Sequence, residues 1–206
     1  MRKLLASLAI TMGAVGTAHA DLEADADAAA GQEKAQVCSA CHGQQGISPS
    51  PAFPHIAGQQ MSYIAKQLIE IRDGERVVPE MTAIVSDYSD QDAWDVAAYF
   101  ANQDANLGQA EDDAELLARG ETLFRAGDMS KGIPACSACH TPTGQGIGTA
   151  VYPALSGQYV DYTVATLQDF AAGERANDPN SIMRDIASQM SDADMQAVAN
   201  YLLGLH

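Results

Sequence analysis

The chain has 206 residues, with 27 Asp and Glu against 11 Lys and Arg and a formal charge of −16. That balance excludes nucleic-acid binding through a basic face, because phosphate neutralisation needs clustered Lys and Arg. With 47% apolar and only 18% charged residues it is not a disordered acidic chain, and its length suits one large domain or two small ones.

Residues 1–20 read as a bacterial secretory signal peptide. Arg2 and Lys3 give a basic start, Leu4 to Gly16 is mostly apolar, and Ala18-His19-Ala20 is an A-x-A cleavage site before Asp21. The apolar run is too short for an ordinary membrane span; the alternative reading is an uncleaved anchor. Cleavage leaves 27 acidic against 9 basic side chains, a net of −18. The expected location is the periplasm.

The four cysteines form two pairs, each running into a histidine: Cys38-Ser39-Ala40-Cys41-His42 and Cys136-Ser137-Ala138-Cys139-His140. C-x-x-C-H is the attachment motif for haem c. Two thiols three residues apart on a helical turn reach the two vinyl groups of one porphyrin, and the next imidazole is aimed at the iron. A thioredoxin-like pair needs a βαβ context that is missing here. A structural zinc site spaces its pairs about 15–20 residues apart, whereas these stand 98 apart. Two covalently attached haem c groups are therefore expected, with Cys38, Cys41, Cys136 and Cys139 as thioether sites and His42 and His140 as axial ligands.

Downstream of the first motif, Met61, Ile64, Leu68 and Ile71 recur at helical spacing, and Gly74 marks a stop. Ser89-x-x-Asp92 resembles a capping box opening a helix with Trp94, Val96, Tyr99 and Phe100. A polar, Gly-containing stretch, 106–114, reads as a linker between an N-terminal domain, 21–105, and a C-terminal domain, 115–206. The second half repeats the first. At an offset of 99, Pro54, Gly58, Gln59, Tyr63, Leu68 and Gly74-Glu75-Arg76 meet identical residues; at 102, so do Met81, Ile84, Ser86, Ser89, Asp92, Val96 and Tyr99. No convincing alternating strand pattern appears, so an all-α fold of two tandem domains is expected. A domain of roughly 90 residues is marginal for a core of side chains alone, and a macrocycle supplies the missing apolar bulk.

The repeat also selects the sixth ligands. His55 meets Ala154 and reads as an ordinary loop histidine. Among the methionines only Met81 and Met183 meet each other, each 18 residues before a matched tyrosine in a loop or loop–helix boundary. They are the expected axial partners of His42 and His140, with Met190 the rival in the second half. A thioether favours Fe(II), raises the potential and leaves no open position for substrate.

Two such domains in one exported chain resemble the dihaem cytochrome c4 family. The resemblance spans the mature chain and rests on Gly120-Glu121-Thr122-Leu123-Phe124, Phe53-Pro54, Ala57-Gly58-Gln59, Asp73-Gly74-Glu75-Arg76, Glu80-Met81-Thr82 and the Leu203-Gly204-Leu205-His206 ending. It implies two class I cytochrome c folds related by a pseudo-twofold, with haem propionates meeting near the domain interface. It also implies electron delivery towards a membrane-bound terminal oxidase of the respiratory chain, from an upstream quinol-oxidising complex, with loose membrane association. The expected function is that of an electron carrier, not an enzyme. Two alternatives stand beside it: a dihaem electron-accepting subunit of a periplasmic dehydrogenase, and a dihaem peroxidase, which needs one iron with a releasable position.

Overall fold

The computed structural model describes residues 21–206, so the signal-peptide reading lies outside the described residues. Asp27 opens the first helix by accepting from the backbone N–H groups of Ala29 and Ala30. That helix, α1 (Ala28–Lys34), runs through a 3₁₀ turn at Ala35–Cys38 into the one-turn α2 (Ser39–His42). Then come α3 (Met61–Arg72), α4 (Pro79–Val85) and α5 (Asp90–Ala101). The second half repeats the order as α6 (Ala114–Ala126), α7 (Ser137–His140), α8 (Val160–Ala172), α9 (Ile182–Ala187) and α10 (Asp192–Leu203). Among the described residues there is no sheet, only isolated bridges joining Asp128 to Ile133 and Ile147 to Tyr152. Both expected capping boxes form: Ser89 with Asp92 at α5, and Ser191 with Asp194 at α10.

Each half packs its first and third helices against its last. In the first, Ile64, Leu68 and Ile71 of α3 meet Val96, Ala97 and Phe100 of α5. In the second, Leu123 and Phe124 of α6 meet Val198 and Leu202 of α10. The crossings depend on glycine. A Cβ on Gly31 of α1 would stand 1.9 Å from the Asp95 carbonyl oxygen of α5, and one on Gly120 of α6 2.2 Å from that of Ala197 on α10. Asp95 and Ala197 are 102 residues apart, so the two close approaches are equivalent.

The stretch between the halves is tied down. Asn106 donates its side-chain amide to the Gly157 carbonyl (2.7 Å), and the Glu111 N–H donates to the side chain of Asn200 (2.8 Å).

The halves meet through a reciprocal set of contacts. Gln59 donates to the Ala154 carbonyl (2.9 Å) and accepts from its N–H (2.7 Å). Gln158 donates to the His55 carbonyl (2.9 Å) and accepts from its N–H (3.0 Å). Arg76 donates to the hydroxyl of Tyr162 and Arg175 to that of Tyr63. In each pair, adding 99 to the first-half residue number and subtracting 99 from the second-half one gives the other contact. This is the signature of a twofold interface, here within one chain.

Candidate haem sites

Each Ser-Ala-Cys-His segment is a single helical turn, closed in the second half by the His140 N–H donating to the Cys136 carbonyl (2.9 Å). The turn buries the histidine that follows the second cysteine of each motif. The chain must then leave sharply. Gly43 does so with φ +75°, where a Cβ would meet the Ile47 carbonyl at 2.2 Å. In the second half a threonine, Thr141, takes the same left-handed turn at φ 68°, a conformation that is strained for a β-branched residue.

His42 and His140 are each 7% exposed. Nδ1 of His42 lies 2.9 Å from the Pro54 carbonyl, and Nδ1 of His140 lies 2.9 Å from that of Pro153. A carbonyl only accepts, so Nδ1 carries the proton and Nε2 keeps its lone pair. Burial holds both imidazoles below their ordinary pKa, against the opposing pull of the proline carbonyls. Both rings are thus neutral, oriented and free at Nε2, as a metal-ligating histidine must be.

Burial pushes the thiols of Cys38 and Cys136 up to about 11. A thiol in that range is protonated at neutral pH and a poor partner in exchange chemistry. Cys38 packs against the first apolar cluster and Cys136 against the second. Paired thiols at an apolar wall beside an oriented neutral imidazole fit a covalently held haem.

Met81 is the third residue of α4, half-buried and packed against the cluster that Cys38 also touches. Met183 is the second residue of α9 and half-buried. Met190 packs against both apolar clusters of the second half, as its counterpart Tyr88 packs against that of the first.

His55 lies in a loop, as expected, but it is not an ordinary loop histidine. It is 7% exposed at the domain interface, stacked on Tyr159 with ring centroids 4.1 Å apart. Its Nδ1 accepts from the Ser48 N–H (3.0 Å), and the Tyr159 hydroxyl donates to the Ser48 carbonyl (2.8 Å). The repeat could not reveal this site, because its members have no matching residues in the other half.

Comparison with known proteins agrees with these features. The family model described as "Cytochrome c" matches residues 117–206, and that described as "Cytochrome C oxidase, cbb3-type, subunit III" matches 25–100. Cytochrome c4 of Pseudomonas aeruginosa is 50% identical over 207 residues, covering the whole of both chains. The thiosulfate dehydrogenase electron acceptor of Stutzerimonas stutzeri is 40% identical over 81% of this chain and 78% of its own. The crystal structure of reduced recombinant cytochrome c4 from Pseudomonas stutzeri superposes with a TM-score of 0.84 at 45% identity, covering 88% of this chain and all of that one.

Proposed function

The chain belongs to the cytochrome c4 family of dihaem electron carriers, and on that premise we propose that it carries electrons in the periplasm from a quinol-oxidising complex to a membrane-bound terminal oxidase. It carries two covalent haem c groups and is not an enzyme. The peroxidase alternative falls with that membership. Residues 1–20 direct export in this reading. No helix among the described residues is long and apolar enough to cross a membrane.

The observation that carries the reading is the duplicated pair of buried, neutral imidazoles, each held by a proline carbonyl. Each haem supplies an iron that alternates between Fe(II) and Fe(III). Cys38 and Cys41 would hold one haem and Cys136 and Cys139 the other. The Pro54 and Pro153 carbonyls fix the imidazole planes of His42 and His140, and Met81 and Met183 would supply thioether donors to the two irons. Met190 is assigned to packing, because its position is filled by a core residue in both halves. Two tightly held donors per iron keep substrate out and let the oxidation state change with little rearrangement. Val37, next to Cys38, is 51% exposed and offers an uncharged contact to partners on an otherwise acidic protein.

A second reading has support from the 40% identity to a thiosulfate dehydrogenase electron acceptor. There the same two haems serve one dehydrogenase as its electron-accepting partner. Isolation of the chain in a stable complex with a dehydrogenase would select it.

The test is the optical spectrum of the reduced protein with and without carbon monoxide. A c-type spectrum indifferent to carbon monoxide is expected. A shift in about half the haem would mean an open sixth position and would overturn the Met81 or Met183 assignment.

A further inference from the structure

Each motif imidazole ends on a peptide group that the opposite half also holds. Nδ1 of His42 donates to the Pro54 carbonyl (2.9 Å), and the N–H of that same peptide group, belonging to His55, donates to Oε1 of Gln158 (3.0 Å). In the second half, Nδ1 of His140 donates to the Pro153 carbonyl (2.9 Å), and the Ala154 N–H donates to Oε1 of Gln59 (2.7 Å). Both peptide groups are trans. Carbonyl and N–H therefore point in opposite directions, and the two hydrogen bonds run head to tail. A single amide stands between each motif histidine and a glutamine of the other half.

The glutamines are fixed in this orientation. Each Nε2 donates to the next carbonyl along, that of His55 or Ala154 (2.9 Å each), which leaves Oε1 facing the N–H. Oε1 of Gln158 also accepts from the Tyr159 N–H (3.0 Å), and that of Gln59 from the Gln60 N–H (2.9 Å). Tyr159 and Gln60 are the N-cap residues of α8 and α3, so each side chain is tied to the start of a helix.

An amide whose N–H is engaged carries more negative charge on its oxygen and accepts more strongly. Hydrogen bonds in such a chain strengthen one another by roughly 10–30%. A stronger Nδ1–H···O bond makes the imidazole a better donor at Nε2. A better donor favours Fe(III) and lowers the potential.

We propose that Gln158 and Gln59 are positioning residues for electron transfer that act across the interface. Gln158 of the second half tunes the His42 centre, and Gln59 of the first half tunes the His140 centre. Each redox centre thereby registers, through one peptide group, that the other half is docked. A half released from its partner has the higher potential.

The inference rests on the proposed axial roles of His42 and His140, and the test separates the two. Gln158→Met and Gln59→Met keep the side-chain length and lose the amide. The halves have other ties: the arginine–tyrosine pairs, and the loop 176–181. That loop accounts for the three extra residues of the second half, and its Asn177 donates to Gln67 (2.9 Å) and Glu70 (2.7 Å). Small-angle scattering should therefore show each single variant still docked. Haem content is checked by the pyridine haemochrome spectrum, and fewer than two c-type haems in the unsubstituted protein would overturn the haem sites themselves. The two centres are then followed separately, through their hyperfine-shifted haem methyl resonances at successive stages of reduction. Bonds to the far nitrogen of a ligating histidine are worth about 10–100-fold, and 10–30% of that on a logarithmic scale is a factor of about two. Gln158→Met should raise the reduced-to-oxidised ratio of the first-half haem by that factor at fixed potential, about 18 mV at roughly 59 mV per decade. The second-half haem should stay where it was. Gln59→Met should do the reverse. Gln158→Glu keeps an oxygen acceptor for the His55 N–H and should not raise the first-half potential; a rise equal to that of Gln158→Met would overturn the relay. Equal shifts at both haems would reduce the glutamines to docking contacts, and a shift only in the glutamine's own half would overturn the crossing. Unchanged potentials in a protein with two haems would overturn the relay and leave the haem sites standing.

Discussion

Gln59 and Gln158 each bracket the backbone N–H and carbonyl of one residue of the opposite half, Ala154 and His55 respectively, so a single residue type closes the interface twice. A glutamine amide offers both donor and acceptor, and can satisfy the two backbone groups of one residue at once.

Gln158→Leu should leave the N–H and carbonyl of His55 without partners, at a cost of about 2 kcal/mol to the docking of the halves. Amide hydrogen exchange at His55 should accelerate by more than tenfold. With Gln59→Leu added, the radius of gyration from small-angle scattering should rise; an unchanged value would show that the brackets do not hold the halves together.

His55 makes that docking sensitive to acid. Its Nδ1 accepts from Ser48 only when unprotonated, and burial lowers its pKa from the ordinary 6.5. The neutral ring is the native form, so its stabilising contribution is complete above pH 6.5 and fades as pH falls through the depressed native value. Denaturation midpoints should therefore drop more steeply between pH 6 and 4 in the unsubstituted protein than in His55→Leu. Parallel curves would exclude His55 as the titrating group.

Gly120 should tolerate no side chain. Gly120→Val places a branched Cβ against the Ala197 carbonyl of α10 and should cost at least about 3 kcal/mol through displacement of α6. Thermal unfolding would register the loss. Gly31→Val should do the same in the first half, where the approach is closer.

The methionine assignments separate spectroscopically. Met81→His should keep the haem attached and lower the potential of one centre. Met183→Ala should admit carbon monoxide to half of the haem, whereas Met190→Ala should cost about 2–3 kcal/mol of core packing without opening an iron. The reverse pattern for Met183 and Met190 would exchange their roles.

Much of this architecture was legible in the residue pattern, because it depends on local chemistry. The spacing Met61, Ile64, Leu68, Ile71 became α3, and Ser89 with Asp92 and Ser191 with Asp194 became capping boxes. The motif histidines follow from adjacency to the cysteines. The interface was not legible. Gln59 and Gln158 appeared only as matched letters, and nothing near them in sequence shows that each reaches the other half. His55 passed for an ordinary loop residue because its partners, Tyr159 and Gln158, lie more than 100 positions away. The equivalence of Gly31 and Gly120 was hidden by unequal spacing to the motifs: Gly31 lies 7 residues before Cys38 and Gly120 lies 16 before Cys136.

The loop at 176–181 gives the duplicated halves a fixed polarity. Its anchors on the opposite half are Lys66, Gln67 and Glu70 of α3, and the corresponding positions of α8 hold Ala165, Thr166 and Asp169. A chain assembled from two second halves would present the loop twice and its Lys-Gln-Glu landing place nowhere; one built from two first halves would have the landing place and no loop. The two copies have ceased to be interchangeable parts, and each is now specified by the other.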